Sequence, residues 1–323
     1  WPLKKCPQYC YEEGKLELTD PVSEYLPQFE DINVYVSGTI DSLKSEAADP
    51  VPTIQDLIRH TSGLTYPWGD TVVDSLYRDA DLWNRELNLD QFVTKVAGLP
   101  LQHPPGTEWH YSTSIDVLGL LVQVVSGQPF EIFLEERIFA PLGMVDTGFF
   151  VPQEKWHRFA VAYGRGLKPI AAPQPGTSGP FTFDKSPKFL SGGGGLVSTA
   201  ADYMRFCLML SGKGEFDGVR LLQTETIEEM TRNQLPPGVG EISYGTAGRG
   251  FGLGFAVRIR KIDSEPSSIG EYEWLGGAGT EFWLSPRDDL VVITLSQQMP
   301  MRQLGRSIKP IVYGALMKPQ GRP

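Results

Sequence analysis

Cysteine, histidine and basic clusters are scarce in this chain, and each scarcity removes a class of function. Three cysteines (Cys6, Cys10, Cys207) and four histidines occur in 323 residues. Cys6 and Cys10 lack a second pair at zinc spacing, and His60, His103, His110 and His157 are scattered, so no metal centre is expected. The net charge is −10 with no Lys/Arg run to offset it, which argues against a nucleic-acid partner. No apolar stretch has the length of a membrane span or the form of a signal sequence. No membrane partner is expected, and a reducing, cytoplasmic setting is the default. No Gly-Lys-Ser/Thr follows the glycine run 192–195 and no Gly-x-Gly-x-x-Gly opens a helix, so neither a nucleotide nor any other cofactor is expected. His-Glu-x-x-His and the Gly-x-Ser-x-Gly elbow are also absent, since Gly176-Thr-Ser-Gly179 fails at the spacing.

What is present is ordinary globular composition, 41% hydrophobic and 21% charged, enough for a large core. The 35 glycines and 26 prolines are spread between patterned segments, which predicts many tight turns.

The most informative stretch runs from Thr107 to Gly127. The turn His103-Pro-Pro-Gly106 leads to the aromatic run Trp109-His-Tyr111 and then to Ser112, Thr113 and Ser114, any of which can cap a helix. Ile115, Leu118, Leu121, Val122 and Val125 recur at helical spacing, and Gly127 suits a C′ position. Tyr111 therefore stands just ahead of a buried helix. It reads either as a packing aromatic at a helix entry or as a catalytic group on a rigid mount.

Residues 1–10 show no clear period, and two prolines oppose a helix there. A helix ends at Gly14 and a short one reaches about Phe29, after which 31–51 reads as an extended, partly polar loop. Thr53-Ile-Gln-Asp56 is a capping box, 74–98 an amphipathic helical region, and Pro129–Phe139 a helix stopping before Pro141. Residues 145–190 are expected to form an irregular pocket wall. Thr199…Asp202 is a second capping box, and Phe206, Cys207 and Leu210 share a buried stripe with Tyr203. From about 236 the period changes to two, predicting an antiparallel meander covered by a helix over about 301–317. The fold class is α+β: a mainly helical part, 1–235, and a sheet part, 236–323, forming one unit.

Six motifs then occur in order: Tyr11-Glu-Glu-Gly-Lys-Leu16, Thr53–Leu64, Tyr111–Gly119, Gly192–Tyr203, Gly252-Leu-Gly254 and Trp274-Leu-Gly-Gly277. From about Tyr11 to about Gln298 the chain resembles the serine β-lactamase-related family, in its class C-like branch of esterases and acyl transferases. The resemblance implies a β-lactamase/transpeptidase-like fold and a small-molecule ester or acyl substrate. It implies Tyr111 as general base and Thr113 at the third position of a Tyr-x-Asn-type motif. Trp274 and Gly276 would form the pocket strand, with the Gly277 N–H facing an oxyanion. Thr113 in place of an amide, and Leu275 in place of a small residue, fit ester cleavage better than β-lactam hydrolysis.

The family's Ser-x-x-Lys motif occurs nowhere in the 323 residues. Counting back from Gly14 places its lysine just before Trp1, so the nucleophile pair and the first sheet strands are expected upstream. The alternative is an inactive remnant that binds without turnover. Ser62, Cys6 or Cys10 as stand-in nucleophiles, and Lys4 or Lys5 beside Tyr111, are weaker options. Missing strands would leave an unpaired sheet edge and a route to a homodimer. Tyr66, Trp68 and Trp274 read equally as an apolar pocket or as core. His60 and His110 read as structural, and Asp116 and Asp202 as helix-start charges.

Overall fold

The computed structural model describes residues 6–84, 86–171, 183–243, 245, 247–300 and 304–317. It opens on α1 (Cys6–Glu12), which corrects the non-helical expectation for the described part of 1–10. Cys6, Tyr9 and Cys10 recur at i, i+3, i+4 and are all buried, so a helical stripe exists in residue types that seldom announce one. α2 (Val22–Tyr25) follows. The expected loop over 31–51 is instead an antiparallel hairpin of β1 (Asn33–Ser37) and β2 (Lys44–Ala47). Every residue of β2 is exposed, so no inside–outside alternation marks it.

α3 (Ile54–Arg59) begins with the expected capping box: the Thr53 hydroxyl accepts from the Asp56 N–H at 3.2 Å, and the Asp56 carboxylate accepts from the Thr53 N–H at 3.0 Å. The helical region read over 74–98 is two helices, α4 (Val72–Asp79) and α5 (Leu89–Ala97). α6 (Ser114–Ser126) is the core helix and ends on Gly127 at φ +70°. Thr113 holds the N-cap position without a side-chain bond, and it is the Ser112 hydroxyl that accepts from the Ser114 N–H at the helix start, at 3.4 Å. α7 (Phe130–Leu134) runs through a π-type turn (Glu135–Phe139) into α8 (Ala140–Leu142), past the expected stop, with the wider turn directly ahead of Pro141, which has no N–H to donate.

β3 (Ala162–Tyr163) and β4 (Pro169–Ala171) pair within the 145–190 excursion, part of which (172–182) lies outside the described residues. α9 (Ala200–Ser211) starts on half a capping box. Thr199 accepts from the Asp202 N–H, but the Asp202 carboxylate turns away to the Asp146 N–H and the Thr147 hydroxyl, pinning 146–147 to the helix. The β5 (Glu215–Phe216) and β6 (Val219–Arg220) hairpin and α10 (Thr224–Thr231) lead to the sheet.

The sheet is the expected meander: β7 (Arg249–Phe251), β8 (Ala256–Arg258), β9 (Tyr272–Leu275), β10 (Glu281–Ser285) and β11 (Leu290–Thr294), each antiparallel to the next. α9 packs against β11, and α11 (Leu304–Met317) against β10. In β9, Tyr272 and Trp274 join the hydrophobic core. Glu273 points to the opposite face, toward α11. That face holds a buried ionic layer. Lys309 of α11 lies 2.5 Å from Glu271 and 2.7 Å from Glu273, while Arg249 and Arg258 each lie 2.7 Å from Glu265, and Arg249 also 2.7 Å from Glu273. The carboxylates of Glu265, Glu271 and Glu273 converge as metal ligands do, but the three cations already neutralise them.

The two sheet edges differ. At β7, the Phe251 N–H donates to Asn233, and the carbonyls of Arg249 and Phe251 accept from the N–H groups of Ile242 and Gln234. At β11, the outer side has no partner strand among the described residues.

Candidate active site

Tyr111 is mounted between two elements. The Thr61–Thr65 loop after α3 runs beside the segment entering α6: the His110 N–H donates to the His60 carbonyl at 2.9 Å, and the Thr113 N–H to the Thr65 carbonyl at 3.4 Å. His60 adopts φ +59°, which turns the chain sharply at the end of α3. Beneath Tyr111 lies a buried hydroxyl chain. His60 Nδ1 is 3.3 Å from Ser112 Oγ, Ser112 is 2.8 Å from Ser114, and Ser114 is 2.9 Å from Ser62. In the sequence Ser112 and Ser114 look like helix caps, His60 like a structural residue and Ser62 like a loop residue or a weak candidate nucleophile. No periodicity announces such a chain, because its links join positions far apart in sequence. Ser62 is fully committed to it and buried, which sets it aside as a nucleophile.

The Tyr111 ring is half-buried. Ring centroids stand 4.8 Å away at His60, 5.2 Å at Tyr66 and 5.3 Å at Trp274. The fold therefore brings together Tyr111 and the strand residue expected to flank it. Trp274 and Tyr66 are buried, whereas Trp68 is exposed. Gly276, just past β9, donates its N–H to the Thr280 carbonyl at 2.7 Å. Gly277 is exposed in the following turn, and among the described residues its N–H meets no acceptor. Thr113 is buried, and its hydroxyl finds no partner among the described residues. Cys6 and Cys10 lie buried in α1, and burial pushes both thiols up, Cys10 to about 11, so neither is a thiolate near neutrality. Lys4 and Lys5 lie outside the described residues.

Contacts between α6 and the glycine run fix the mount. Asp116, at the start of α6, accepts from the Ser191 hydroxyl at 2.6 Å and the Gly193 N–H at 3.0 Å. Burial pushes its carboxyl above the usual range, against those hydrogen bonds. A Cβ on Gly192 would sit 2.2 Å from the Ile115 carbonyl oxygen, so the glycine run is there to seat its backbone against α6. Asp116 is thus more than a helix-start charge. Beside Tyr111 opens a cleft of about 350 Å³, lined by Thr65, Tyr66, Trp68, Gly69, Asp74 and His110. Its polar floor is one relay: Thr65 Oγ1 donates to Asp74 at 2.7 Å and lies 2.8 Å from His110 Nε2, which must then carry the proton. No single helix among the described residues is long and apolar enough to cross a membrane.

The chain matches the Beta-lactamase family model over residues 8–311. It is 35% identical over 304 residues to protein Rv1367c of Mycobacterium tuberculosis, covering 90% of this chain and 73% of that one. It is 28% identical over 305 residues to esterase EstB of Burkholderia gladioli, covering 88% and 71%. Among solved structures, a mutant simvastatin synthase from Aspergillus terreus superposes with a TM-score of 0.81 at 26% identity, covering 97% of this chain and 80% of that one. The motifs, the fold and these matches agree, and the chain belongs to the Beta-lactamase family, in a branch populated by esterases and acyl transferases.

Proposed function

We propose that these residues supply the proton-transfer and oxyanion side of an acyl-serine site, in a carboxylesterase or acyl transferase acting on small-molecule esters. The observation that carries the reading is the contact between Tyr111 and Trp274, which sets a half-buried phenol beside the strand leading to the Gly277 N–H. In the proposed reaction a serine hydroxyl attacks the ester carbonyl and passes its proton to the Tyr111 phenolate. The carbonyl oxygen becomes an oxyanion held by the Gly277 N–H, a donor of the kind that contributes about 3 kcal/mol. The C–O bond to the alcohol then breaks, and Tyr111 returns the proton to the leaving oxygen. Water or an acceptor alcohol resolves the acyl-serine by the same steps in reverse. A free tyrosine has a pKa near 10, so the reading also requires a cation at the phenolate, the role of the lysine in Ser-x-x-Lys. A cytoplasmic setting belongs to the same proposal, supported by three buried cysteines that form no disulfide among the described residues.

A second reading, binding without turnover, is favoured by one fact: the 323 residues hold no Ser-x-x-Lys. Both readings are tested with p-nitrophenyl butyrate and a serine-reactive phosphonate. The assay uses the 323-residue chain alone and the same chain joined in frame to a Ser-x-x-Lys helix. Acyl-serine chemistry expects turnover and a phosphonylated motif serine in the second protein only, with Tyr111→Phe slowing it by about 10²–10⁴-fold. Turnover indifferent to Tyr111→Phe refutes the role of Tyr111. No turnover in either protein leaves the binding reading.

A further inference from the structure

We infer that the cleft beside Tyr111 is an aromatic platform that selects substrates carrying a neutral, flat, apolar group, with Trp68 as the specificity-determining residue. The inference rests on the reading above, because the platform borders the proposed reacting phenol. Trp68 is 71% exposed, although its indole is among the most costly side chains to leave in water. It is also held still. Its ring stacks on Tyr66 at 4.1 Å with an interplanar angle of 8°, and Tyr66 stands 5.2 Å from Tyr111 and 5.9 Å from Trp83. One face of the indole is thus covered by Tyr66, and the exposed side chain borders the cleft.

Charge and ring geometry narrow the ligand. Among the described lining residues no cation occurs. Burial opposes ionisation of Asp74, but hydrogen bonds from Thr65 and Thr71 outweigh it and hold the carboxyl below its usual range. Burial, helped by His103, pushes the His110 imidazole down, so it is neutral near pH 7. The lining residues therefore carry negative charge, which disfavours an anionic substrate beside Asp74, while Arg78, just outside the lining, is turned to the carbonyls of Pro67 and Gly69. A quaternary ammonium would be attracted by that charge, but cages for such cations enclose them with steeply inclined rings. Here Trp68 and Tyr66 lie nearly parallel, at 8°, while Trp83 and Tyr111 are inclined to them by 30° to 46°, so the flat face offered is that of one indole.

The test is direct binding to the 323-residue chain with uniformly ¹⁵N-labelled tryptophan. The probes are 2-acetonaphthone, 2-naphthoate and benzyltrimethylammonium. The ketone is expected to shift one indole N–H resonance saturably, the one missing from Trp68→Ala. Trp68→Ala should weaken the ketone about tenfold. Trp68→Phe should retain most of the affinity, and 2-naphthoate should bind at least tenfold more weakly than the ketone. Unchanged ketone affinity in Trp68→Ala overturns the inference, as does tighter binding of either charged probe. No turnover is needed, so a failed esterase assay and a failed binding assay are separate results.

Discussion

Replacing Lys309 by methionine isolates the ionic layer that fastens α11 to the sheet. Lys309 is 5% exposed; burial pulls its pKa down, but Glu273 and Glu271 outweigh that and hold it above the usual lysine range. Its stabilising contribution is therefore complete below pH 10 and lost only as pH rises through the folded value. With the ammonium gone, Arg249 and Arg258 still compensate Glu265 and Glu273. Among the described residues, the Glu271 carboxylate keeps only the Tyr313 hydroxyl. Burial already raises the Glu271 pKa, with Lys309 the first influence opposing it, so the variant is expected to fold with Glu271 protonated. Holding neutral a carboxyl of ordinary pKa near 4.3 costs about 1.4 kcal/mol per pH unit above that value. The cost is about 4 kcal/mol at pH 7 and about 1 kcal/mol at pH 5. The first figure agrees with the usual 3–5 kcal/mol for removing one partner of a buried pair. The sign follows because a raised folded-state pKa favours folding as pH falls. Urea unfolding of wild type and Lys309→Met at both pH values measures the difference, and adding Glu271→Gln should recover most of the loss at pH 7. Equal destabilisation at pH 5 and pH 7 would refute the argument.

Thr113→Val removes a buried hydroxyl that has no partner among the described residues, and it is expected to leave stability unchanged or raise it by up to about 1 kcal/mol. Thermal unfolding checks this, and a loss above about 1 kcal/mol would mean that the hydroxyl is satisfied in solution. The half-buried apolar edge of β11 is expected to pair with a second copy of the chain. Sedimentation across a concentration series should then show a dimer that Val292→Lys weakens at least tenfold.

How much of this was legible in the sequence follows the physics of each element. α6 and the meander were readable because one face of each is buried, so the periods of 3.6 and 2 appear in the residues. The β1–β2 hairpin left no such trace, since β2 buries nothing. α1 was hidden because its stripe is made of cysteine and tyrosine and includes Pro7. Tyr111 stands out in the sequence because it precedes a well-marked helix. Its contact with Trp274 was expected only through the family resemblance, since no local pattern encodes a meeting between a helix start and a distant strand. The hydroxyl chain from His60 to Ser62 escaped for a related reason. Serines beside a helix start look like caps, and only the folded chain shows that they bond to one another.

The strand β9 is read from both sides at once. Sliding it by one residue would present Glu273 to the aromatic rings around Tyr111 and take its carboxylate away from Lys309 and Arg249. Either mismatch alone would be severe, so alignment is guarded twice, by oil on one surface and by salt on the other. Trp68 lies outside that double lock, so replacing it leaves the register of β9 in place.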